Sequence, residues 1–142
     1  MVRMTDEVYN LLTAPRRTKY KMEQIKARSV AIRYTLLPSG IRYDTDRVQS
    51  SPSDLMPEKM ALIDQLDREL KELDGVYDRQ IDNIRKACDE MGKEPEKTII
   101  IMQYIGGRSM IEIADVLNYS VSYAYRIREN GYALLHKVLA SR

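Results

Sequence analysis

The sequence predicts an all-α protein: an N-terminal helical arm or coiled-coil hairpin followed by a C-terminal helix-turn-helix domain. Three observations carry that expectation. Glycine and proline are sparse, at 6 and 5 of 142 residues, in a charged, Met-rich and Tyr-rich composition without Phe or Trp. Apolar residues recur at three- and four-residue intervals along most of the chain, the period of a helix face and not of a strand. Stop and start signals punctuate these periodic stretches at Pro38-Ser39-Gly40, at Met91 to Pro95 and at Gly106-Gly107. On this pattern the chain divides into residues 1–57, a helical arm and loop; 58–94, a long heptad-bearing helix; and 95–142, the helix-turn-helix domain.

Taken in order, Met4, Val8, Leu11 and Leu12 predict a short helix over residues 1–13, which Ala14-Pro15 is expected to interrupt. From Arg16 to about Leu37, Met22, Ile25, Ser29, Ile32 and Leu36 form a heptad-like seam and predict a second helix. Its opening run RRTKYK reads more readily as a solvated helix start than as a phosphate-contacting arm. Ile41 to Pro57 has the Ser, Pro and Asp content of a loop, long enough to leave room for a partner contact. Ser50, Ser51 and Ser53 have no base nearby in sequence, so this loop does not suggest a nucleophile.

From about Glu58 to Met91, Ile63, Leu66, Leu70, Leu73, Tyr77, Ile84, Ala87 and Met91 follow a heptad, with Ile81 beside a Gln80 in a core slot. Such a helix is roughly 50 Å long, too long for one small core to cover. It must pack against the 16–37 helix as an antiparallel hairpin, or against the same helix in another subunit, so self-association through it is expected. Gly75 weakens it locally by about 1 kcal/mol relative to Ala and allows a bend. Pro95 then suits the first turn of a following helix, whose Ile99, Ile100, Met102 and Tyr104 make the most core-like stretch of the chain.

Charge is unevenly spread. Residues 1–54 carry ten Lys or Arg against six Asp or Glu, residues 55–94 seven against eleven, and residues 95–142 six against four. A nucleic-acid footprint would use the basic ends, and the acidic middle suits packing or a protein partner. No apolar run approaches membrane-spanning length and MVRMTDEVYN lacks a signal-peptide hydrophobic stretch, so a cytoplasmic protein without membrane contact is expected. The single Cys88 and single His136 offer neither an intrachain disulfide nor a metal-ligand cluster. No enzyme motif, cofactor loop or catalytic pair is evident, since GKEPEK lacks the rest of a phosphate loop and the carboxylates of the long helix alternate with Lys and Arg.

Function is therefore sought in Ser109 to Leu139. Ile111, Ile113, Ala114 and Leu117 give one apolar helix face; Ala124, Ile127, Gly131, Leu134, Leu135 and Val138 give a second. Ala114 precedes Asn118 by four residues, Ala124 by ten and Ile127 by thirteen, the spacing of a DNA-binding helix-turn-helix. A small Ala114 lets two helices approach, Asn118 tolerates a left-handed turn and Ser120 suits an N-cap. On the outward face, Ser122, Tyr123, Tyr125 and Arg126 are the candidates for base or phosphate contact, with Asn130 flanking them. Arg108 and Lys137 are candidates for phosphate. Tyr132 is assigned to the core, while Tyr119, Tyr123 and Tyr125 are able to stack on bases or to cover the core.

The segment EPEKTIIIMQYIGGRSMIEIADVLNYSVSYAYRIRENGYALLHKVL resembles region four of bacterial sigma factors, as borrowed by phage late-transcription regulators of the ArpU and RinA type. VQSSPSDLMPEKM, followed by a long charged helix and this C-terminal module, is similar to a family encoded by phages and prophages of Gram-positive bacteria. The resemblance runs from Val48 to Leu139, and VQSSPS is its most specific marker. It implies a transcriptional regulator in a bacterial host cell that binds double-stranded DNA upstream of late or packaging genes, with host RNA polymerase as a second partner to test. Where sigma factors usually begin the recognition helix with a charged run, this chain has Val121, Ser122 and Tyr123. Two other readings are a small terminase subunit for DNA packaging and a protein-only adaptor that uses the helix-turn-helix as a docking surface.

Overall fold

A computed structural model describes residues 4–37 and 52–142. Among these residues all regular structure is helical: α1 (Asp6–Tyr34), α2 (Pro52–Met91), α3 (Glu94–Tyr104), α4 (Met110–Leu117) and α5 (Val121–Ala140). The expected stop at Pro38-Ser39-Gly40 and most of the VQSSPS segment, including Ser50 and Ser51, lie outside the described residues.

Two helices are longer than the local signals predict. The interruption expected at Ala14-Pro15 does not occur, and α1 runs through a buried Pro15 as one 29-residue helix. Proline removes one N–H and clashes with the preceding turn, at a cost of about 3 kcal/mol. Burial of Val8 and Leu12 before it and of Met22 after it offsets that cost. The run RRTKYK is accordingly in mid-helix and is not a helix start. Likewise, α2 begins at Pro52, inside the stretch expected to be a loop, and spans 40 residues or about 60 Å. Pro52 can hold the first position, where its missing N–H leaves no bond unmade. The helix also continues through Pro57 and Gly75.

The chain forms two compact units, residues 1–17 with 77–142 and residues 18–76. Their borders fall within α1 and α2.

In the first unit, the beginning of α1, the end of α2, and α3 to α5 share two apolar clusters. Val8, Leu12, Ile84, Ala87, Cys88, Ile100, Tyr132 and Leu135 form one; Ile99, Met110, Ile113, Ala114, Ala124 and Ile127 form the other. Consecutive Ile99 and Ile100 thus feed different clusters, which is why α3 needs apolar side chains on more than one face. Lys97 of α3 bridges Asp89 of α2 at 2.6 Å, and Arg142 bridges Glu90 at 3.0 Å.

In the second unit, α1 and α2 lie antiparallel. Arg33 donates to both carboxylate oxygens of Asp67 at 3.2 and 3.0 Å, and Ile25 shares a cleft with Leu73. The expected seam is present: Met22, Ile63 and Leu66 are buried, and Ile25, Ile32, Leu70 and Leu73 are half-buried. No helix among the described residues is long and apolar enough to cross a membrane.

Candidate nucleic-acid interface

The candidate interface begins with the turn between α4 and α5, whose geometry follows from three local signals. Ser109 caps α4, its Oγ accepting from the Glu112 N–H at 3.2 Å and donating to the Glu112 carboxylate at 3.2 Å. Asn118 ends the helix in the left-handed region at φ 59°, ψ 39°, and the Tyr119 N–H closes onto the Ala114 carbonyl at 2.9 Å. Ser120 then resumes extended backbone and caps α5, accepting from the Tyr123 N–H at 3.1 Å. These caps place a three-residue turn, Asn118-Tyr119-Ser120, between α4 and α5.

Packing fixes how the helices meet. Ala114 and Ala124 are buried in the same cluster, and their small side chains allow the close crossing. The apolar face of α4 differs from expectation at one position. Ile111 is 71 % exposed, and Met110 takes its place in the core beside Ile113 and Ala114. The reason is angular: positions 110, 113, 114 and 117 follow the helical period, whereas 111 lies a further 100° round. On α5 the expected face holds, with Ala124, Ile127, Gly131 and Leu135 buried and Leu134 and Val138 half-buried.

Opposite that face, Ser122, Tyr123, Tyr125 and Arg126 are all exposed within the first two turns of α5. The Tyr123 ring stands edge-on to Tyr119 at 5.0 Å between centroids. Tyr125 is covered on one side by the Arg128 guanidinium, 4.5 Å from its centroid. That guanidinium also lies 5.3 Å from the Tyr132 ring and donates to Gln103 Oε1 at 3.1 Å. Arg128 was absent from the sequence-derived candidates, although its spacing of three and four residues from Tyr125 and Tyr132 already signals shared helix faces. It positions Tyr125 and ties α5 to α3.

The remaining candidates are less alike. Arg108 is exposed in the turn that leaves α3, where Gly107 adopts φ 70° and the Arg108 N–H bonds the Met102 carbonyl at 3.1 Å. Lys137 is exposed in the last turn of α5, on the same face as Arg126 but about 16 Å further along the axis. Asn130 is exposed overall, yet its amide donates to Glu96 Oε1 at 2.9 Å. One donor of that amide is therefore engaged inside the protein.

Buried polar groups beneath the interface are structural. The Tyr132 hydroxyl meets the Tyr104 hydroxyl at 2.6 Å, and burial together with this bond holds its phenol well above the ordinary tyrosine range. Burial pushes the Cys88 thiol from its usual 9.0 to about 11, with nearby Lys97 opposing the rise and Asp89 adding to it, which leaves a poor nucleophile at neutral pH. His136 is exposed on α5. Among the described residues, no group of three His, Cys, Asp or Glu is placed to hold a metal ion.

Compared with known proteins, the chain matches no family model, no curated protein and no solved structure.

Proposed function

We propose that this chain binds double-stranded DNA through α5 and acts as a transcriptional regulator of the phage or prophage late-gene type. The observation that carries the reading is the run of exposed Ser122, Tyr123, Tyr125 and Arg126 at the N-terminal end of a helix that follows a short, doubly capped turn. In such modules the first turns of the second helix enter the major groove, where an Arg pairs with guanine and hydroxyl-bearing side chains reach base edges or phosphate. Arg108 and Lys137, away from those first turns, suit phosphate and not bases. The resemblance to sigma region four adds host RNA polymerase as a second partner.

Duplex fragments from the neighbouring genome, titrated by fluorescence anisotropy over a salt series, test this. Selective binding that weakens linearly with log salt, and that loses selectivity in Arg126→Ala, supports the reading. Binding no tighter than to random duplex at every salt concentration would sink it.

A docking role has one observation in its favour. On α4, Ile111 and Val116 are 71 % and 52 % exposed, apolar surface that contact with a phosphate backbone does not require. An adaptor of that kind shows no salt-dependent DNA affinity.

A further inference from the structure

Among its described residues, the 18–76 unit consists of parts of two helices, α1 and α2, with few buried apolar side chains. Met22, Ile63 and Leu66 are its buried apolar side chains among the described residues, while Tyr20 and Val30 are 67 % and 65 % exposed. Two helices that meet along a single seam leave most of their surface bare, and helical units of this kind usually complete a core with further helices.

Charge indicates what completes it. Between residues 18 and 34, α1 carries five Lys or Arg against one Glu; between 58 and 76, α2 carries six Asp or Glu against three Lys or Arg. One open side of the pair holds a cleft of about 330 Å³ lined by Lys21, Gln24, Ile25, Arg28 and Leu73. Lys21 and Arg28 have no ion-pair partner among the described residues. Glu69 stands one turn before Leu73 on the same stripe of α2. Lys21 and Arg28 thus make a basic rim on α1, Ile25 and Leu73 an apolar floor, and Glu69, which accepts from Gln65 Nε2 at 3.3 Å, supplies the negative charge at the α2 edge, while Asp67 is taken up by Arg33 on the other flank.

We propose that this cleft is the interface with a second copy of the chain. A surface with one basic and one acidic edge is complementary to itself, as a two-fold interface requires. A two-fold axis parallel to the helices lays the basic edge of each α1 on the acidic α2 of the other copy. An axis across them would set basic on basic. Lys21 and Arg28 then face the partner copy's acidic edge around Glu69, and Ile25 and Leu73 of both copies become a shared apolar floor. Duplex DNA is a poorer occupant, because the acidic edge lies beside the basic one and repels phosphate. The pairing is independent of the DNA reading, and it gives the expected self-association a surface and an orientation.

Sedimentation equilibrium of the full chain without DNA provides the test. The expected mass is twice the 16.5 kDa of one chain. Lys21→Glu with Arg28→Glu should weaken the dimer at least tenfold, with the helical circular-dichroism signal retained. Mixing that variant with Glu69→Lys should restore dimers of mixed composition. A wild-type monomer throughout the concentration range overturns the proposal and turns attention to a different protein in the cleft. A dimer indifferent to the reversal, or weakened without rescue on mixing, overturns it as well.

Discussion

The side-chain amide of Asn130 on α5 donates at 2.9 Å to Glu96 on α3, a carboxylate that is only 8 % exposed and whose other oxygen has no hydrogen-bond partner. This bond spans 34 residues of sequence. Asn130→Ala leaves both oxygens unpaired, and the expected loss of stability is about 2 kcal/mol. Urea unfolding monitored by circular dichroism measures it. Should the variant keep wild-type stability and lose only DNA affinity, the side chain works outward and not toward Glu96.

Gly131 lies where α5 crosses α3. A Cβ there would stand 2.7 Å from Ile100 Cδ1 and 3.3 Å from Glu96 Cβ. Alanine gains roughly 1 kcal/mol of helix propensity over glycine, but overpacking a filled core costs about 1–3 kcal/mol. Gly131→Ala is expected to be net destabilising, by about 1 kcal/mol on these magnitudes. Ile100→Val removes the atom in the way, so the double variant should lose less than the sum of the two single losses, a coupling that a double-mutant cycle reads directly.

The turn between α4 and α5 gives a contrast within one position. Asn118 adopts φ 59°, so Asn118→Gly should change stability little, whereas Asn118→Val forces a β-branched residue into the left-handed region at a cost of about 1–2 kcal/mol. Ser120→Ala removes the hydroxyl that accepts from Tyr123 and should cost about 1 kcal/mol. Equal effects of Gly and Val at position 118 would mean that the turn is not held in this conformation.

Alkaline pH should loosen the first unit. The folded Cys88 thiol titrates near 11 against a usual 9.0, so the protein holds this proton where the unfolded chain releases it. Stability from this group is complete below pH 9 and is lost as pH rises toward 11. Tyr132, whose phenol is also raised, acts in the same direction at higher pH. Melting temperatures from pH 8 to 11 should fall, with a shallower slope in Cys88→Ala. At pH 8 the thiol should react with iodoacetamide only after denaturant is added; rapid labelling of the native protein would contradict its burial.

By itself, the sequence determined the helical class, the apolar faces of α2 and α5, and the turn at Asn118-Tyr119-Ser120. These features depend on interactions within about four residues: an N-cap and its first turn, a left-handed Asn, apolar residues repeating at the helical period. The exposed Ser122, Tyr123, Tyr125 and Arg126 were legible for the same reason, since the face opposite an apolar stripe turns outward.

Tertiary structure alone decided the rest. Local rules place breaks at Pro15 and through residues 52–57, and packing overrode the first because burial along α1 outweighs one missing hydrogen bond. Ile111 is the more hydrophobic of the pair by residue type, yet Met110 is the one that shares the angular face of Ile113, Ala114 and Leu117 on which α3 and α5 pack. Asn130 flanks the outward face by its angle on the helix, and Glu96 takes a hydrogen bond from its amide from 34 residues away. The division into residues 1–17 with 77–142, and 18–76, follows from contacts between stretches distant in sequence, which no periodicity within a single helix encodes.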